Sequence, residues 1–412
     1  MNSPTYAWRQ LPGGPRLTVA TLAHSECAAL SIYVPAGSRD EGGLPAGLAH
    51  FVEHMVFKGT ARRSARELSL EIENGGGQLN AGTTEDHTVY EGRGEAGLLP
   101  VLVDVLTDML WHASFAHADV ALEREVIGEE ITMYRETPSD HIADMISGAL
   151  WTSHPLGNPI SGTLESISHI TRKKLLNFRD QHHFREDLVI AAAGPFSLDQ
   201  VQALIEPRLP ATFLRVGRAP AFVRPAGPPL QVVETRDTEQ LQLSLAWHTP
   251  GRQDPLRHAL RLLSLMLGES ASSRLFQELR EDRGLCYQIS SDVTLFHETG
   301  AFEISAGLDP DAREEALACI LREINDIVAN GPRPGELDRA KRLAISQSKL
   351  AFETTSAHAA WAGEGLLDFD QIPSLTHWRD RLVAVNDEAI QHAAALIFTG
   401  QEPAMAEIGD RR

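Results

Sequence analysis

The sequence predicts an α+β fold built from two domains of similar design, each with helices packed on a mainly antiparallel β-sheet. Strand-like alternations and long amphipathic stretches occur in blocks, the pattern of helices layered on a sheet. The two halves echo each other at an offset of about 210 residues, a duplication of domain size rather than a short repeat. The 412-residue length also exceeds that of an ordinary single domain.

The elements follow in order. Residues 17–22 and 28–34 alternate as strands. Residues 47–60 form a helical stretch apolar on nearly every side, with Leu48, Ala49, Phe51, Val52, Met55, Val56 and Phe57 around three polar residues. The segment 75–83 is glycine-rich, and its glycines alone prefer a turn. Helices are expected over 98–111 and 119–135, the second carrying Gly128 at a cost of about 1 kcal/mol relative to Ala. A strand over 188–193 closes the half. Residues 214–229 hold four prolines and two glycines and sustain neither a helix nor a central strand. They divide a first domain, 1–213, from a second, 230–412.

The second half repeats the plan. Strands are expected over 230–234 and 241–247, and Leu243-Ser-Leu-Ala-Trp-His-Thr-Pro-Gly echoes Leu30-Ser-Ile-Tyr-Val-Pro-Ala-Gly. A helix over 257–267 stands where the first half has 47–60. Residues 272–287 read as an amphipathic helix ended by Gly284, and 317–330 and 334–354 are further helices.

Composition narrows the function. A net charge of −19 argues against nucleic acid or an anionic membrane surface as partner, and suits attraction of basic peptides. Cys27, Cys286 and Cys319 are odd in number and widely spaced, so no disulfide framework or cysteine metal cluster is expected, as in a reducing compartment. The N-terminus lacks a basic start followed by an apolar run, and no stretch is long enough to span a bilayer. A soluble, cytoplasmic protein is the expectation.

The chemistry concentrates in Gly47-Leu-Ala-His-Phe-Val-Glu-His-Met-Val-Phe-Lys-Gly-Thr60, which contains H-x-x-E-H. Helical spacing puts His50, Glu53 and His54 on one side. Two neutral imidazoles there hold a divalent metal, and the carboxylate lies beside whatever water the metal binds. Polar groups on a buried helix need partners, and a metal supplies one. A lone histidine on an apolar face is more often a satisfied core residue, but three such residues at this spacing favour the metal.

Two histidines leave a zinc site one protein ligand short. The segment from Leu122 to Tyr134 offers Glu123, Glu125, Glu129 and Glu130. Periodicity puts Glu123, Val126, Ile127, Glu130, Met133 and Tyr134 on one stripe, expected to face the core, and Glu125, Glu129, Thr132 and Glu136 on a polar one. Glu123 and Glu130 lie two turns apart, on the order of 10 Å along the axis, so a single metal takes one of them. The other is an outer group, unless either carboxylate reaches solvent or pairs with an arginine.

At these residues the chain resembles the insulinase, pitrilysin and mitochondrial processing peptidase family of zinc peptidases, most strongly over 30–165 and 270–345. The resemblance implies the fold above and one Zn2+ per chain. His50, His54 and Glu130 would be its ligands, Glu53 the general base and Glu123 an additional acidic residue beside the ligands. It implies that 75–83 is an edge strand where Leu79, Asn80 and Ala81 pair with the substrate backbone. It also implies that Arg280 and Tyr287 come to the substrate from the domain facing the zinc, as donors to a carbonyl and the developing oxyanion. In the second half Ala259, Leu262 and Leu263 stand around the positions matching the motif, so that half keeps the fold without the metal. His182-His183-Phe184 departs from the family's usual Tyr, and Gly194-Pro195 from its Gly plus polar residue.

The expected function is a zinc-dependent endopeptidase. Family members of double length close two such units around a chamber, so a homodimer is expected here, with a heterodimer of related chains as the alternative. A non-catalytic partner subunit is the main rival, although such chains typically lose the metal residues. A metal-dependent lyase is a second, against which the duplicated halves speak. Two His and one carboxylate suit zinc, although the sequence does not decide between it and manganese or cobalt. The physiological substrate and its cleavage preference are not legible.

Overall fold

The computed structural model describes residues 4–216 and 229–410; of the expected 214–229 spacer, 217–228 lie outside the described residues. Two compact units emerge. One comprises the described residues of Met1–Ile131, Pro159–Pro220 and Leu350–Pro373, the other those of Thr132–Asn158, Ala221–Lys349 and Ser374–Arg412.

The first unit is built on six strands: β1 (Thr5–Gln10), β2 (Arg16–Thr21), β3 (Cys27–Val34), β4 (Gln78–Thr83), β5 (Thr88–Glu95) and β6 (Val189–Gly194). Their order is β1-β2-β6-β3-β5-β4, and every pairing is antiparallel except β2 with β6. The glycine-rich segment thus ends as strand β4 at an edge of the sheet, not as a simple turn. Gly77, Gly92 and Gly94 lie against Leu98 and Leu102, where an added Cβ would come within 2.8 Å of a leucine methyl. Those glycines let the hairpin sit close to the layer above.

Period-two alternation divides β3 between two cores. Ala28, Leu30, Ile32 and Val34 face the helices Leu48–Val56, Leu99–His112, His117–Glu136 and Arg172–His182. Ala29 and Tyr33 face the other way, joined by Ala20, Ala191 and Ala193. The helix Thr355–Phe369, from the far end of the chain, covers that second face through Ala359, Leu366 and Leu367. Small residues allow the approach: a Cβ on Gly363 would lie 2.4 Å from the Tyr33 ring.

The second unit has five strands: β7 (Gln231–Glu234), β8 (Leu241–Pro250), β9 (Cys286–Leu295), β10 (Thr299–Leu308) and β11 (Ala404–Ile408). The order is β7-β11-β8-β10-β9, with β7 parallel to β11 and the rest antiparallel. Leaving out β1, this order matches the first sheet strand for strand, down to the place of its one parallel pair. One face packs on the helices Arg257–Leu267, Arg313–Asn330 and Asp387–Phe398. The other is covered by Pro138–Leu150, a helix from the first half of the sequence, through Ile142, Ile146 and Ala149. Each unit therefore takes one helix from the opposite half of the chain.

One helix departs from expectation. Phe276–Asp282 is π-helical rather than α-helical. Leu279 is its buried residue, buried Leu275 precedes it, and Arg274 is anchored before it by Glu336 at 2.7 Å and Asp326 at 2.9 Å. Gly284 ends the segment at φ +64°, and Leu285 N–H reaches back to the Leu279 carbonyl at 2.8 Å, a closure one residue wider than an α-helical end.

Candidate metal centre

The helix Leu48–Val56 begins at Gly47, whose φ of +91° lies in the left-handed region and whose Cβ position is 2.5 Å from the Ser161 carbonyl oxygen. Only glycine fits there. The freed N–H groups at this helix start meet Glu41, a buried carboxylate whose Oε1 accepts from Ala49 N at 2.9 Å. Burial pushes Glu41 up to about 8 in spite of the backbone bonds that favour its charge. Leu48, Ala49, Phe51, Val52, Met55 and Val56 go into the core and leave His50, Glu53 and His54 half-buried on the remaining side.

The helix His117–Glu136 supplies the carboxylates. Its buried stripe is Val120, Glu123, Ile127 and Ile131, with Glu130 half-buried beside it. Val126, Met133 and Tyr134, expected on the core stripe, are 45%, 57% and 42% exposed. The buried arc is rotated from the expected one toward Val120 and Ile131, and Glu123 lies at its edge, next to half-buried Glu130. Glu125 and Glu129 are exposed, as the polar stripe predicts.

Three ligand-type atoms converge. His50 Nε2 and His54 Nε2 are 3.2 Å apart, and Glu130 Oε2 lies 3.6 Å from His54 Nε2 and 4.0 Å from His50 Nε2. Among the described residues this is the one group of three or more such side chains that could share a metal ion. A tetrahedral ion with bonds of about 2.0–2.1 Å separates its ligand atoms by roughly 3.3 Å, so the triangle fits one zinc-sized ion. Burial, then the neighbouring His54, draws the His50 pKa down to about 4, which keeps this imidazole neutral with a lone pair to give.

Glu123 does not join the triangle. Its Oε1 meets His54 Nδ1 at 2.9 Å and its Oε2 meets Lys58 Nζ at 2.5 Å. Burial alone would raise this carboxyl, but the hydrogen bonds of His54 and Lys58 outweigh it and hold the pKa below the usual value. A proton held on Nδ1 by that carboxylate leaves Nε2 of His54 as the free donor. Glu53 also stands outside the triangle; its Oε2 accepts from Thr83 Oγ1 at 2.6 Å, and burial raises its pKa against that bond.

Leu79, Asn80 and Ala81 lie on β4, with Leu79 and Ala81 packed on the core and Asn80 exposed. Arg280 and Tyr287 belong to the second unit and are both exposed, Tyr287 at 64%; the Arg280 guanidinium lies over the Phe276 ring at 4.8 Å. Sequence reasoning missed Glu41, Lys58 and Thr83. Lys58 follows His54 by four residues, a spacing that could have flagged it; nothing local marks the other two. Cys27, Cys286 and Cys319 are free thiols. No described helix is long and apolar enough to cross a membrane.

Similarity to known proteins agrees with this architecture. The model of the insulinase family (peptidase family M16) matches residues 18–164, and that of the peptidase M16 inactive domain matches 169–344. A protein named uncharacterized zinc protease in Mycobacterium tuberculosis is 35% identical over 93% of this chain and 89% of its own. Another so named in Streptomyces coelicolor is 32% identical over 97% of this chain and 88% of its own. Among solved structures, a protease from Helicobacter pylori superposes with a TM-score of 0.92 over 98% of this chain and 99% of its own, at 20% identity. A putative M16-like peptidase from Alicyclobacillus acidocaldarius does so with a TM-score of 0.86 over 99% of both chains, at 19% identity. With a third of its residues shared over nearly its whole length, the chain belongs to the insulinase family of peptidases, family M16.

Proposed function

We propose that the protein is a zinc-dependent endopeptidase acting on peptides or unfolded segments, with one zinc per chain. The observation that carries this is the triangle of His50 Nε2, His54 Nε2 and Glu130 Oε2, with Glu53 on the same helix face. Zinc held by those three atoms would supply Lewis acidity, lowering the pKa of a coordinated water to about 7 and polarising the scissile carbonyl. Glu53 takes the proton from the attacking water and passes it to the leaving amine. Burial raises its pKa, the direction that favours a group that must accept a proton.

His54 is held in one tautomer by Glu123, and Lys58 balances the charge of that carboxylate. The free edge of β4 offers main-chain groups to an extended peptide along Leu79, Asn80 and Ala81, giving affinity with little sequence demand. Arg280 and Tyr287 serve as donors to the substrate, supplied by a second copy in a homodimer. The match of 169–344 to an inactive domain accords with a second half that carries no motif residues.

The test is elemental analysis and hydrolysis of a quenched peptide library on the same samples. Wild type should bind one zinc per chain and cleave internal bonds. His50→Ala, His54→Ala and Glu130→Ala should lose both metal and activity, whereas Glu53→Gln keeps metal and loses turnover. A zinc-loaded wild type that cleaves no peptide, or an active Glu53→Gln, overturns the proposal.

A further inference from the structure

Strand β4 ends on Thr83, and among the described residues this is the side chain that bonds Glu53, Oγ1 donating to Oε2 at 2.6 Å. The donor is settled by counting protons. Thr83 Oγ1 also lies 3.5 Å from Thr88 Oγ1, but Thr88 spends its single proton on the Ala36 carbonyl at 3.1 Å. The Thr83 proton is therefore free for the carboxylate, which can only accept.

The hydroxyl is also fixed in space. Thr83 pairs with Thr88 across the β4–β5 hairpin, and Thr84 N–H closes the turn on the His87 carbonyl at 2.8 Å. The turn is held from outside by Ser38 N–H on the Thr84 carbonyl at 3.0 Å and Arg39 N–H on the Glu85 carbonyl at 3.2 Å. A Cβ on Gly37 would lie 2.2 Å from the Thr84 oxygen, so backbone packs directly on backbone. Leu79, Ala81 and Thr83 share one face of the strand, and Leu79 and Ala81 pack into the core that contains the motif helix.

We propose that Thr83 is a positioning residue for the general base, an inference that rests on the endopeptidase reading. Its hydroxyl anchors Oε2 of Glu53, and Oε1, which no described residue bonds, is the oxygen that works. The proton of the attacking water moves to Oε1 as the new C–O bond forms, then to the amide nitrogen as the C–N bond breaks. Thr83 keeps its own proton throughout.

The experiment compares Thr83→Val, which keeps the shape and removes the hydroxyl, with Thr83→Ser, which keeps the hydroxyl. A peptide cleaved by wild type is used for kcat and KM on the zinc-loaded full-length protein, and for Kd on the chelator-stripped protein; zinc content is measured in parallel. Thr83→Val should lower kcat by roughly 10- to 100-fold, the scale for misplacing a reacting group by about an ångström. KM and the metal-free Kd should stay within about twofold, with one zinc per chain, so the loss sits in the chemical step. Thr83→Ser should recover kcat to within about threefold of wild type. A wild-type kcat in Thr83→Val overturns the inference, as does a loss matched by weaker metal-free binding or missing zinc, or a Thr83→Ser no better than Thr83→Val. Those results leave the endopeptidase reading intact if wild type cleaves and Glu53→Gln does not; a zinc-loaded wild type without activity overturns both.

Discussion

Acid should weaken the first unit through His183, and the size of the effect follows from where that residue sits. His183 caps the helix Arg172–His182 at 1% exposure, its carbonyl accepting from Trp111 Nε1 at 2.9 Å and its ring against Tyr90. Burial draws its pKa from 6.5 down to about 3, against a backbone hydrogen bond to Leu110 and with help from His182 and Arg179. Between those values the unfolded chain binds a proton that the folded one refuses, so stability falls as pH falls, by about 1.4 kcal/mol per pH unit. From pH 7 to pH 5 the loss is about 2 kcal/mol, and the unfolded pKa alone sets it, because the native imidazole stays neutral throughout. Asp40 and Glu41, raised by burial to about 6 and about 8, act in the opposite sense and lose stability as pH rises. The wild-type curve therefore mixes signs, and the difference from His183→Phe isolates one of them. Urea unfolding followed by pulsed hydrogen exchange of the Leu99–His112 helix reads the first unit alone. The variant should lose about 2 kcal/mol less than wild type between pH 7 and pH 5. Equal losses would refute a neutral buried His183.

Three further outcomes are expected. Glu123→Gln, which weakens the grip on His54 Nδ1 and leaves Lys58 without its counter-charge, should lower zinc affinity by roughly 10- to 100-fold in a chelator competition; wild-type affinity would count against the role given to Glu123. Gly128→Ala should stabilise the first unit by about 0.4–1 kcal/mol in the same urea assay, since the new Cβ would meet Leu164 and Ile167 at an ordinary 3.6 and 4.0 Å; a loss of stability would mean the helix needs the glycine. Mixing inactive His50→Ala with inactive Arg280→Ala should restore roughly a quarter of wild-type activity, because half of the exchanged dimers are mixed and each has one complete site. A fully active monomer in sedimentation, or verified mixed dimers with no recovery, would exclude completion in trans.

The elements were legible where local pattern decides them. Alternation found β2, β3, β6, β7 and β8 within a residue or so at their starts, and amphipathic periodicity found Leu99–His112, His117–Glu136 and Arg313–Asn330. The duplication reappears in the matching strand orders of the two sheets. What could not be seen was the reciprocal placing of Pro138–Leu150 on the second sheet and Thr355–Phe369 on the first. Partner choice for a second sheet face depends on contacts hundreds of residues apart, and nothing in the composition of either helix names the sheet it covers.

The site divides along the same line, with one instructive exception. His50, Glu53 and His54 share a face because helical geometry ties spacing to direction, and the sequence states the spacing. Thr83 and Glu41 reach the motif helix across turns whose geometry no local rule fixes, so no spacing announces them. The exception is the helix carrying Glu123 and Glu130. There the periodicity was visible, yet apolar neighbours pointed to an arc containing Val126, Met133 and Tyr134, all exposed. The apolar members of the buried arc are Val120, Ile127 and Ile131, and of these the expected stripe holds Ile127 alone. At about 100° per residue Glu123 lies at one edge of the buried arc of Val120, Glu123, Ile127 and Ile131, where His54 and Lys58 meet its carboxylate. A stripe centred on the two carboxylates finds Glu123 and Glu130 but misplaces the apolar residues, because the core packs against Val120, Ile127 and Ile131 on the flank beyond Glu123.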